Sequence, residues 1–373
     1  MAKKILLTGG GTGGHIYPLL AVAEKIASIT DQDFEVDYIG PKGALNKPFQ
    51  EIGIRMHSIT PAKFRRYFDI KNLIDIPKFI FSLFEACFKL FFIMPDIIFS
   101  KGGPGSLAVV LASKFYFIPV IIHESDVIPS LTSRATSKVA KRIAISFEET
   151  GKYFPSSKVF LSGNPIREKI KEHWMDQESA KEYFDFNPKK PLMLVLGGSQ
   201  GAETINNFII SALDLITEEF QIYHQVGDRH LENMVTQSKY FLKNKPEKEA
   251  NYKVVGSLNA QDMKVAFNAS DIVLSRSGAG GIFETALFKK PAILIPLPIS
   301  GNDHQRANAY AYSGAGAAIV IEEANLKPSI VVREALSIIS NEERLNQMTQ
   351  AAEKFSDRDA SELIVREMLN LLN

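Results

Sequence analysis

The stretch ILLTGGGTGGHIYP, residues 5–18, decides how the first part of this chain folds. A short apolar run is followed by five glycines within six positions, then by His15 and Pro18. Such a run, ending in glycines and followed by a helical pattern, is typical of a parallel strand that turns into a helix, with Pro18 suited to the first helical turn. Glycines allow a tight turn and let a ligand approach the backbone amides, which favour phosphate at a helix start. The stretch predicts a strand–turn–helix unit with an anion site.

The alternation of strand and helix patterns continues along the chain. Apolar runs such as VDYIG and PVIIHE occur in the first half, and PLMLVLGG and SDIVLS in the second. This rhythm predicts an α/β fold with parallel sheets, and 373 residues favour about two domains. The turn-rich segment FLSGNPIRE (160–168) marks the boundary. We therefore predict a Rossmann-like domain over 1–163, a second over 164–340, and two helices over 341–373.

The composition is that of an ordinary globular chain, but its charge is uneven. Residues 1–163 carry 20 Lys and Arg against 14 Asp and Glu, whereas the whole chain has a net charge of +1. A basic half is typical of proteins with an anionic partner. The single cysteine, Cys87, excludes an internal disulfide, and no apolar run is long enough to predict a transmembrane helix.

Further glycine turns follow apolar strands in the second half. GGSQGA (197–202) predicts another anion site, and SRSGAGGIFE (275–284) places Glu284 where a carboxylate could accept both hydroxyls of a ribose. In PLPISGNDHQRANA (296–309), two neutral amides, Gln305 and Asn308, share one face of a starting helix and suit sugar hydroxyls.

Some of these residues also suit other classes of ligand. Gly9–Gly14 also fits a dinucleotide fingerprint, although Asp37 lies inside its strand and not at the end. There is no phosphate-binding G-x-x-x-x-G-K-[ST] motif, and the scattered histidines predict no metal site and no cofactor.

Taken together, GGGTGGHIYP, GGSQGAETIN, SRSGAGGIFE and DHQRANA resemble the MurG family, membrane-associated transferases of peptidoglycan synthesis. The resemblance spans nearly the whole chain and includes IIHESD (121–126) and GNPIRE (163–168). It implies a GT-B fold, in which two Rossmann-like domains face each other across a cleft and the C-terminal helices, residues 341–373, pack back toward the first domain. It also implies metal-independent, inverting transfer of N-acetylglucosamine (GlcNAc) from UDP-GlcNAc to undecaprenyl-diphospho-N-acetylmuramoyl-pentapeptide, which converts lipid I to lipid II.

The resemblance also assigns expected roles to individual residues. Ser199 and nearby amides would face the donor diphosphate, Arg167 would reach the nucleotide, and Gln305 and Asn308 would hold GlcNAc. The uridine would lie against one contiguous segment, with Glu284 on the ribose: Ala279, Gly280, Gly281, Ile282, Phe283 and Glu284. The residues expected to approach the donor from the first domain are Thr12, Gly13, Gly14 and Asp126.

Attack by the acceptor 4-hydroxyl requires removal of a proton, and His15 titrates in a suitable range. His15 could instead bind an acceptor phosphate or only cap the loop. Glu124, at the end of an expected strand, is the alternative base. The chain departs from the family pattern at Gly281, where threonine is usual, at Asp126, where asparagine is usual, and at Pro104, where an aromatic residue is usual.

The segment LIDIPKFIFSLFEACFKLFFIM (73–94) predicts an amphipathic helix. Helical spacing favours burial of one stripe: Ile76, Ile80, Phe84, Cys87, Phe91 and Met94. The side chains off that stripe predict contact with an anionic membrane surface: Phe81, Phe88, Phe92, Lys78 and Lys89. Upstream, KFRRYFDIK (63–71) adds further cations. We expect a peripheral enzyme at the cytoplasmic face of the bacterial cell membrane, with no nucleic acid partner.

Three alternatives remain open from the sequence. The chain could be a glycosyltransferase acting on diacylglycerol or another lipid, an NAD-linked dehydrogenase, or a nucleotide-sugar-binding protein without catalysis.

Overall fold

The computed structural model describes residues 2–29, 34–43, 47–61, 71–171, 175–198 and 201–372. The chain divides into two compact units. Unit 1 contains residues up to Glu168 and those from Arg358 onward, and unit 2 contains Lys169–Asp357. The boundary therefore falls slightly beyond the one we predicted between residues 163 and 164.

Strands and helices alternate as the sequence predicts. The strands are β1 (Lys3–Thr8), β2 (Phe34–Gly40), β3 (Arg55–Ser58), β4 (Ile97–Ser100), β5 (Val120–Glu124), β6 (Arg142–Ile145), β7 (Val159–Leu161), β8 (Leu192–Leu196), β9 (Gln221–Gln225), β10 (Tyr252–Val255), β11 (Ile272–Ser275), β12 (Ala292–Leu294) and β13 (Ala318–Val320). The helices are α1 (Gly13–Ile29), α2 (Lys47–Glu51), α3 (Lys71–Ile93), α4 (Ser106–Ser113), α5 (Leu131–Thr136), α6 (Glu168–Lys171), α7 (Gln177–Tyr183), α8 (Glu203–Glu219), α9 (Leu231–Phe241), α10 (Pro246–Glu249), α11 (Ala260–Ala269), α12 (Ala279–Leu287), α13 (His304–Gly314), α14 (Pro328–Ile339), α15 (Glu342–Phe355) and α16 (Ala360–Leu372).

Each unit is built on one parallel sheet. Among the described residues, unit 1 has strand order β3-β2-β1-β4-β5-β6-β7 and unit 2 has order β10-β9-β8-β11-β12-β13. In both sheets the first strand pairs with the second on one side and with the fourth on the other. This is the doubly wound Rossmann order, in which ligands bind beyond the carboxyl ends of the strands where the order reverses. The switch points are β1/β4 in unit 1 and β8/β11 in unit 2.

The sheet of unit 1 is buried on both faces because successive side chains of a strand point to opposite sides. Ile5 and Leu7 of β1 pack with α1 and α16 on one face, whereas Leu6 packs with α3 and α4 on the other. In unit 2 the strands pack against α8 and α14 in one continuous core. Continuous apolar strands are therefore required, as the sequence has them.

The chain ends are arranged differently from two of our predictions. Helix α1 begins at Gly13, so His15 lies in its first turn and Pro18 lies inside the helix. Of the two C-terminal helices, α16 packs on α1 in unit 1 through Ile364, Val365 and Met368. Helix α15 instead packs within unit 2, where Met348 joins the core. Only the last helix returns to the N-terminal unit.

Candidate functional site

Two glycine loops meet at the switch point of unit 1. The loop after β1 and the loop after β4 are joined by the Gly10 N–H, which donates to the Gly102 carbonyl at 2.8 Å. A Cβ atom on Gly103 would lie 2.8 Å from Gly10 Cα and 3.3 Å from His15 Cε1. Gly103 also has a φ of +93°. Glycine is required here because the two backbones and the imidazole leave no room for a side chain.

His15 lies beside this contact in the first turn of α1. Its Nδ1 is 2.8 Å from the Thr12 hydroxyl, and the Thr12 carbonyl accepts from the His15 and Ile16 amides. Within the described parts of the chain, Nε2 has no hydrogen-bond partner. Burial lowers the pKa of His15 to about 4, and the nearby Lys101 ammonium contributes. The ring is therefore neutral at neutral pH and can accept a proton.

Of the other residues predicted on this loop, Thr12 and Gly14 are exposed and Gly13 is buried. A Cβ on Gly14 would meet no atom within 4 Å, so the space next to the helix start is open there. The start of α1 therefore presents backbone amides with little side-chain cover, as an anion site requires.

Glu124 is buried at the end of β5, and both of its oxygens are engaged. Oε1 accepts from the Asp126 amide at 3.0 Å and Oε2 accepts from the Ser130 amide at 3.0 Å. Burial, with the charge of Asp126, raises the pKa of Glu124. The carboxyl group thus orders the loop between β5 and α5, which competes with the predicted alternative role as a base.

Lys101 is a site residue that our sequence reasoning missed. It follows β4 directly, its side chain is buried, and its amide donates to the Thr8 carbonyl at 2.9 Å. Burial lowers the pKa of Lys101, while Glu124 and the half-exposed Asp126 act in the opposite direction. The signal in the sequence was a lysine between a buried strand and a glycine turn, SKGG (100–103).

Arg167 belongs to unit 1 and lies over a residue of the same helix that carries His15. Its guanidinium carbon is 4.3 Å from the centre of the Tyr17 ring, a cation–π contact. The structure thus places this predicted nucleotide ligand near the start of α1.

In unit 2 the loop after β8 contains Ser199, which lies outside the described residues. Its flanking glycines, Gly198 and Gly201, both have a φ of +77°. A Cβ on Gly201 would clash with the Val226 carbonyl oxygen. The turn therefore depends on glycine, as the sequence predicts.

Helix α12 begins at Ala279, directly after the other loop at this switch point. The side chains of Ile282 and Phe283 are buried in the core of unit 2, and Phe283 packs on Phe355 with ring centres 5.0 Å apart. Only the backbone of these two residues could serve the predicted uridine contact. Gly280 and Gly281 have open space around them, and Glu284 is half-buried in the second turn.

Gln305 and Asn308 tie α13 to the loop before α12. The Asn308 side chain is fully buried and donates to the Ser277 carbonyl at 3.2 Å. Ser277 donates its hydroxyl to the Gln305 carbonyl at 2.8 Å, and Gln305 Oε1 accepts from the Leu297 amide at 3.1 Å. Asn308 therefore positions the loop, and its burial does not suit the predicted sugar contact. Gln305 is half-exposed.

The carboxylate that a dinucleotide-binding site would need for the ribose, that of Asp37, already has partners inside the protein. Asp37 is buried in β2 and accepts from Arg55 at 3.1 Å, and its Oδ1 lies 2.8 Å from His57 Nε2. It cannot serve a ribose without breaking these pairs. In the described ranges, no group of three or more His, Cys, Asp or Glu side chains could hold a metal ion.

The burial pattern of α3 differs from our prediction. The helix packs on unit 1 through Ser82, Ala86 and Leu90, and Cys87 is only partly buried. Most of the predicted buried stripe is exposed instead: Ile76, Ile80, Phe84, Phe91 and Met94. Phe81, Phe88 and Phe92 are exposed as predicted, at 62%, 66% and 65%. The buried face follows the row Ser82, Ala86 and Leu90, with Phe79, Leu83 and Ile93 partly buried beside it, so the predicted stripe faces solvent instead.

The turn after α4 adds two aromatic residues that the sequence analysis missed. Phe115 and Phe117 are 74% and 93% exposed, and Phe117 has a φ of +57°, rare for a bulky residue. Between them, Tyr116 donates to the Cys87 carbonyl at 3.0 Å, which attaches the turn to α3. We call the exposed aromatic residues of α3 and this turn the aromatic surface: Phe81, Phe84, Phe88, Phe91, Phe92, Phe115 and Phe117.

The two predicted cations of α3 differ in their surroundings. Lys78 is exposed, whereas Lys89 donates to Glu85 at 2.9 Å and is mostly covered. The cations of 63–70 lie outside the described residues. None of the described helices combines the length and hydropathy needed to cross a membrane.

Comparison with known proteins gives consistent matches. The N-terminal domain of glycosyltransferase family 28 matches residues 5–145, and its C-terminal domain matches residues 192–364. A UDP-N-acetylglucosamine–N-acetylmuramyl-(pentapeptide) pyrophosphoryl-undecaprenol N-acetylglucosamine transferase of Clostridium kluyveri is 34% identical, over 94% of this chain and 95% of that protein. The enzyme of the same name from Treponema denticola is also 34% identical, over 94% and 93%.

The fold is similar to that of a solved structure. The crystal structure of Acinetobacter baumannii MurG superposes with a TM-score of 0.74 at 24% identity, covering 99% of both chains. This likeness assigns the two Rossmann-like units to the GT-B class.

Proposed function

This chain belongs to the MurG family of glycosyltransferase family 28, and from that membership we propose that it transfers GlcNAc from UDP-GlcNAc to lipid I, yielding lipid II. The observation that carries the proposal is the placement of glycine loops at both Rossmann switch points, in a chain whose relatives align over nearly its full length. Such loops suit the diphosphates that both substrates contain.

We propose that the donor binds to unit 2, where glycine turns follow β8 and β11 at the switch point. We propose that amides around Ser199 bind the diphosphate and that the start of α12 binds uridine, with Glu284 on the ribose. Of the two amide side chains predicted to bind GlcNAc, we propose Gln305, because its side chain is half-exposed whereas that of Asn308 is buried. We propose that Arg167, whose guanidinium lies over the Tyr17 ring, reaches the donor nucleotide.

The reaction assigned to the site is an inverting displacement. The 4-hydroxyl oxygen of the acceptor sugar bonds to the anomeric carbon as the bond from that carbon to the diphosphate breaks. The electron pair leaves with UDP, and the hydroxyl proton goes to His15. In the free protein the low pKa makes His15 a weak base, so a bound phosphate is needed to raise it. Substrate binding would thus bring the base into its useful range.

The acceptor is a lipid, and the aromatic surface of unit 1 is suited to meet it at a bilayer. Exposed aromatic side chains beside Lys78 and Lys114 fit an interface with anionic lipid. We propose peripheral binding at the cytoplasmic face of the cell membrane. Phe115 and Phe117 belong to the proposed membrane contact, whereas Lys89 does not, because it pairs with Glu85.

The experiment that tests the function is a transfer assay with radiolabelled UDP-GlcNAc. A water-soluble lipid I analogue is expected to become labelled, and diacylglycerol is not. His15→Ala is expected to reduce turnover by roughly 10²–10⁴-fold if His15 is the base. Labelling of diacylglycerol alone would replace this function by the related lipid glycosyltransferase activity. Failure with every acceptor despite UDP binding would favour a protein without catalysis.

A further inference from the structure

Helix α1 holds the last residues of unit 1 before Lys169 at two points along its length. Near the start of the helix, the Tyr17 ring lies under the Arg167 guanidinium, whose carbon is 4.3 Å from the ring centre. About two turns further along, Glu24 Oε2 accepts from the Glu168 amide at 3.2 Å. Tyr17 and Glu24 are seven residues apart, so both side chains lie on the same face of α1. The helix therefore fixes two consecutive residues of this segment.

These two contacts orient the Arg167 side chain along α1. Seven residues of an α-helix rise about 10 Å, so the backbone is held in the second half of the helix and the guanidinium near its start. Tyr17 is two residues from His15, in the part of the helix where backbone amides have little side-chain cover. A guanidinium at this position adds a further donor beside a candidate anion site.

The contact with Tyr17 leaves the hydrogen-bonding groups of Arg167 available. The Tyr17 ring is itself fixed, because it packs against the core of unit 1. An aromatic face attracts a guanidinium without using any of its five N–H donors. In the part of the chain that the structure describes, no group accepts a hydrogen bond from the Arg167 guanidinium. Tyr17 therefore restricts the side chain of Arg167 while its donors stay free for the oxygens of a ligand.

We propose that Tyr17 and Glu24 are positioning residues for the donor nucleotide: Tyr17 holds the guanidinium of Arg167, and Glu24 holds the backbone that carries it. This inference deepens the proposed function and rests on the contact between Arg167 and the nucleotide proposed there. A side chain that is already ordered loses less conformational entropy on binding. The two residues thus strengthen UDP binding through Arg167, without contacting UDP themselves.

The test is a double-mutant cycle, measured by isothermal titration calorimetry of the full chain with UDP. Arg167→Ala is expected to weaken UDP binding at least about tenfold. Tyr17→Leu is expected to weaken it about twofold to thirtyfold, whereas Tyr17→Phe keeps the aromatic face and should bind UDP like the wild type. When Arg167→Ala is already present, Tyr17→Leu should cause no further loss, because its effect acts through the arginine.

Two further variants separate positioning from a general loss of structure. Glu24→Ala removes the acceptor of the Glu168 amide, and its loss of UDP affinity is also expected to vanish when Arg167 is alanine. This variant carries the test if Tyr17→Leu does not fold. Tyr153→Leu is the matched control, since it removes another tyrosine of unit 1 whose ring faces an arginine, with the Arg134 guanidinium carbon 5.1 Å from the ring centre. It is expected to leave UDP affinity unchanged.

The outcomes distinguish this proposal from the proposed function. Losses from Tyr17→Leu and Arg167→Ala that simply add, or an equal loss in Tyr153→Leu, would overturn the proposal. Unchanged UDP affinity in Arg167→Ala would also overturn it, because there would be no nucleotide contact to position. In the transfer assay, Tyr17→Leu is expected to raise KM for UDP-GlcNAc with kcat retained. A wild-type protein that follows the UDP cycle but transfers nothing would support the positioning residues and refute the proposed transfer.

Discussion

At the scale of single residues, the site is defined by what each polar group already contacts. His15 retains a ring nitrogen without a partner among the described residues, whereas Glu124 uses both oxygens on backbone amides. Asn308 is committed to the Ser277 carbonyl. Since a side chain bonded inside the protein must break that bond to serve a ligand, burial separates positioning groups from candidate ligands.

Glu284→Gln tests the donor site at this scale. A hydrogen bond to a charged group contributes roughly 1.5–3 kcal/mol, so UDP affinity is expected to fall about tenfold or more. Isothermal titration calorimetry with UDP measures the change. Glu249→Gln, at an exposed glutamate of unit 2, is the control. Equal affinities of Glu284→Gln and the wild type would remove the ribose assignment.

His224 provides a test of stability against pH. It is fully buried between Tyr252 and Asn206, and burial lowers its pKa to about 3. In the unfolded chain, His224 binds a proton near pH 6.5, whereas in the folded state it does so only near pH 3. The free energy of unfolding therefore falls as the pH decreases from about 6.5 towards 3.

Between pH 6.5 and 5 this histidine should cost the wild type roughly 1–2 kcal/mol. Urea denaturation at the two pH values, repeated for His224→Gln, isolates the contribution. The variant is expected to lose less stability over the interval. The same loss in both proteins would rule out this role for His224.

At the scale of elements, similar glycine turns have different physical requirements. Gly281 lies in the first turn of α12, and a Cβ there would meet no atom within 4 Å. Gly201, before α8, has a left-handed φ of +77° and no room for a Cβ. The first glycine costs helix stability, whereas the second is imposed by the turn.

Alanine substitutions separate the two cases. Gly281→Ala is expected to stabilise the protein by about 0.4–1 kcal/mol, because it reduces the entropy of the unfolded chain. Gly201→Ala is expected to destabilise it by a larger amount, since its Cβ would approach the Val226 carbonyl. Urea denaturation of both variants measures these changes, and shifts of the same sign would contradict the assignment.

The exposed face of α3 gives a prediction about membranes. Phe81→Asp combined with Phe88→Asp is expected to weaken sedimentation with anionic vesicles at least tenfold, since burial of each phenylalanine contributes about 1.5–3 kcal/mol. Turnover of a water-soluble acceptor should not change. Tyr240→Asp, at an exposed aromatic residue of unit 2, is the control. Undiminished vesicle binding of the double variant would show that the aromatic surface serves another purpose.

At the scale of the whole molecule, unit 1 is not complete until the end of the chain has folded. Ile364, Val365 and Met368 of α16 are buried against α1, and Lys25 binds Asp359 and Glu362 at 3.0 and 3.3 Å. The last helix therefore belongs to the core of the first unit.

Removal of residues 360–373 should destabilise unit 1 by several kcal/mol, because three buried apolar side chains are lost at about 1.5–3 kcal/mol each. Hydrogen exchange measured by mass spectrometry would detect the change. Amides of β1, β2 and α1 are expected to lose protection, while those of β8 and β11 should keep theirs. Equal loss of protection in both units would contradict this division of the chain.

The sequence by itself determined the two parallel-sheet units, because apolar strands, glycine turns and helical spacing are local patterns. It also located the loops of the candidate site, since glycines at strand ends predict where ligands can approach. The roles within those loops could not be assigned in this way. Whether Asn308 faces a ligand or the Ser277 carbonyl depends on which residues lie opposite it.

Only the tertiary structure decided the functions that depend on burial and on distant charges. It buried Lys101 behind the first glycine loop, left Phe84 and Phe91 in solvent, and joined α16 to the first unit. A pattern along the chain specifies which face of a helix is apolar. Whether that face is covered depends on the size of the surface it packs against, and only the folded molecule defines that surface.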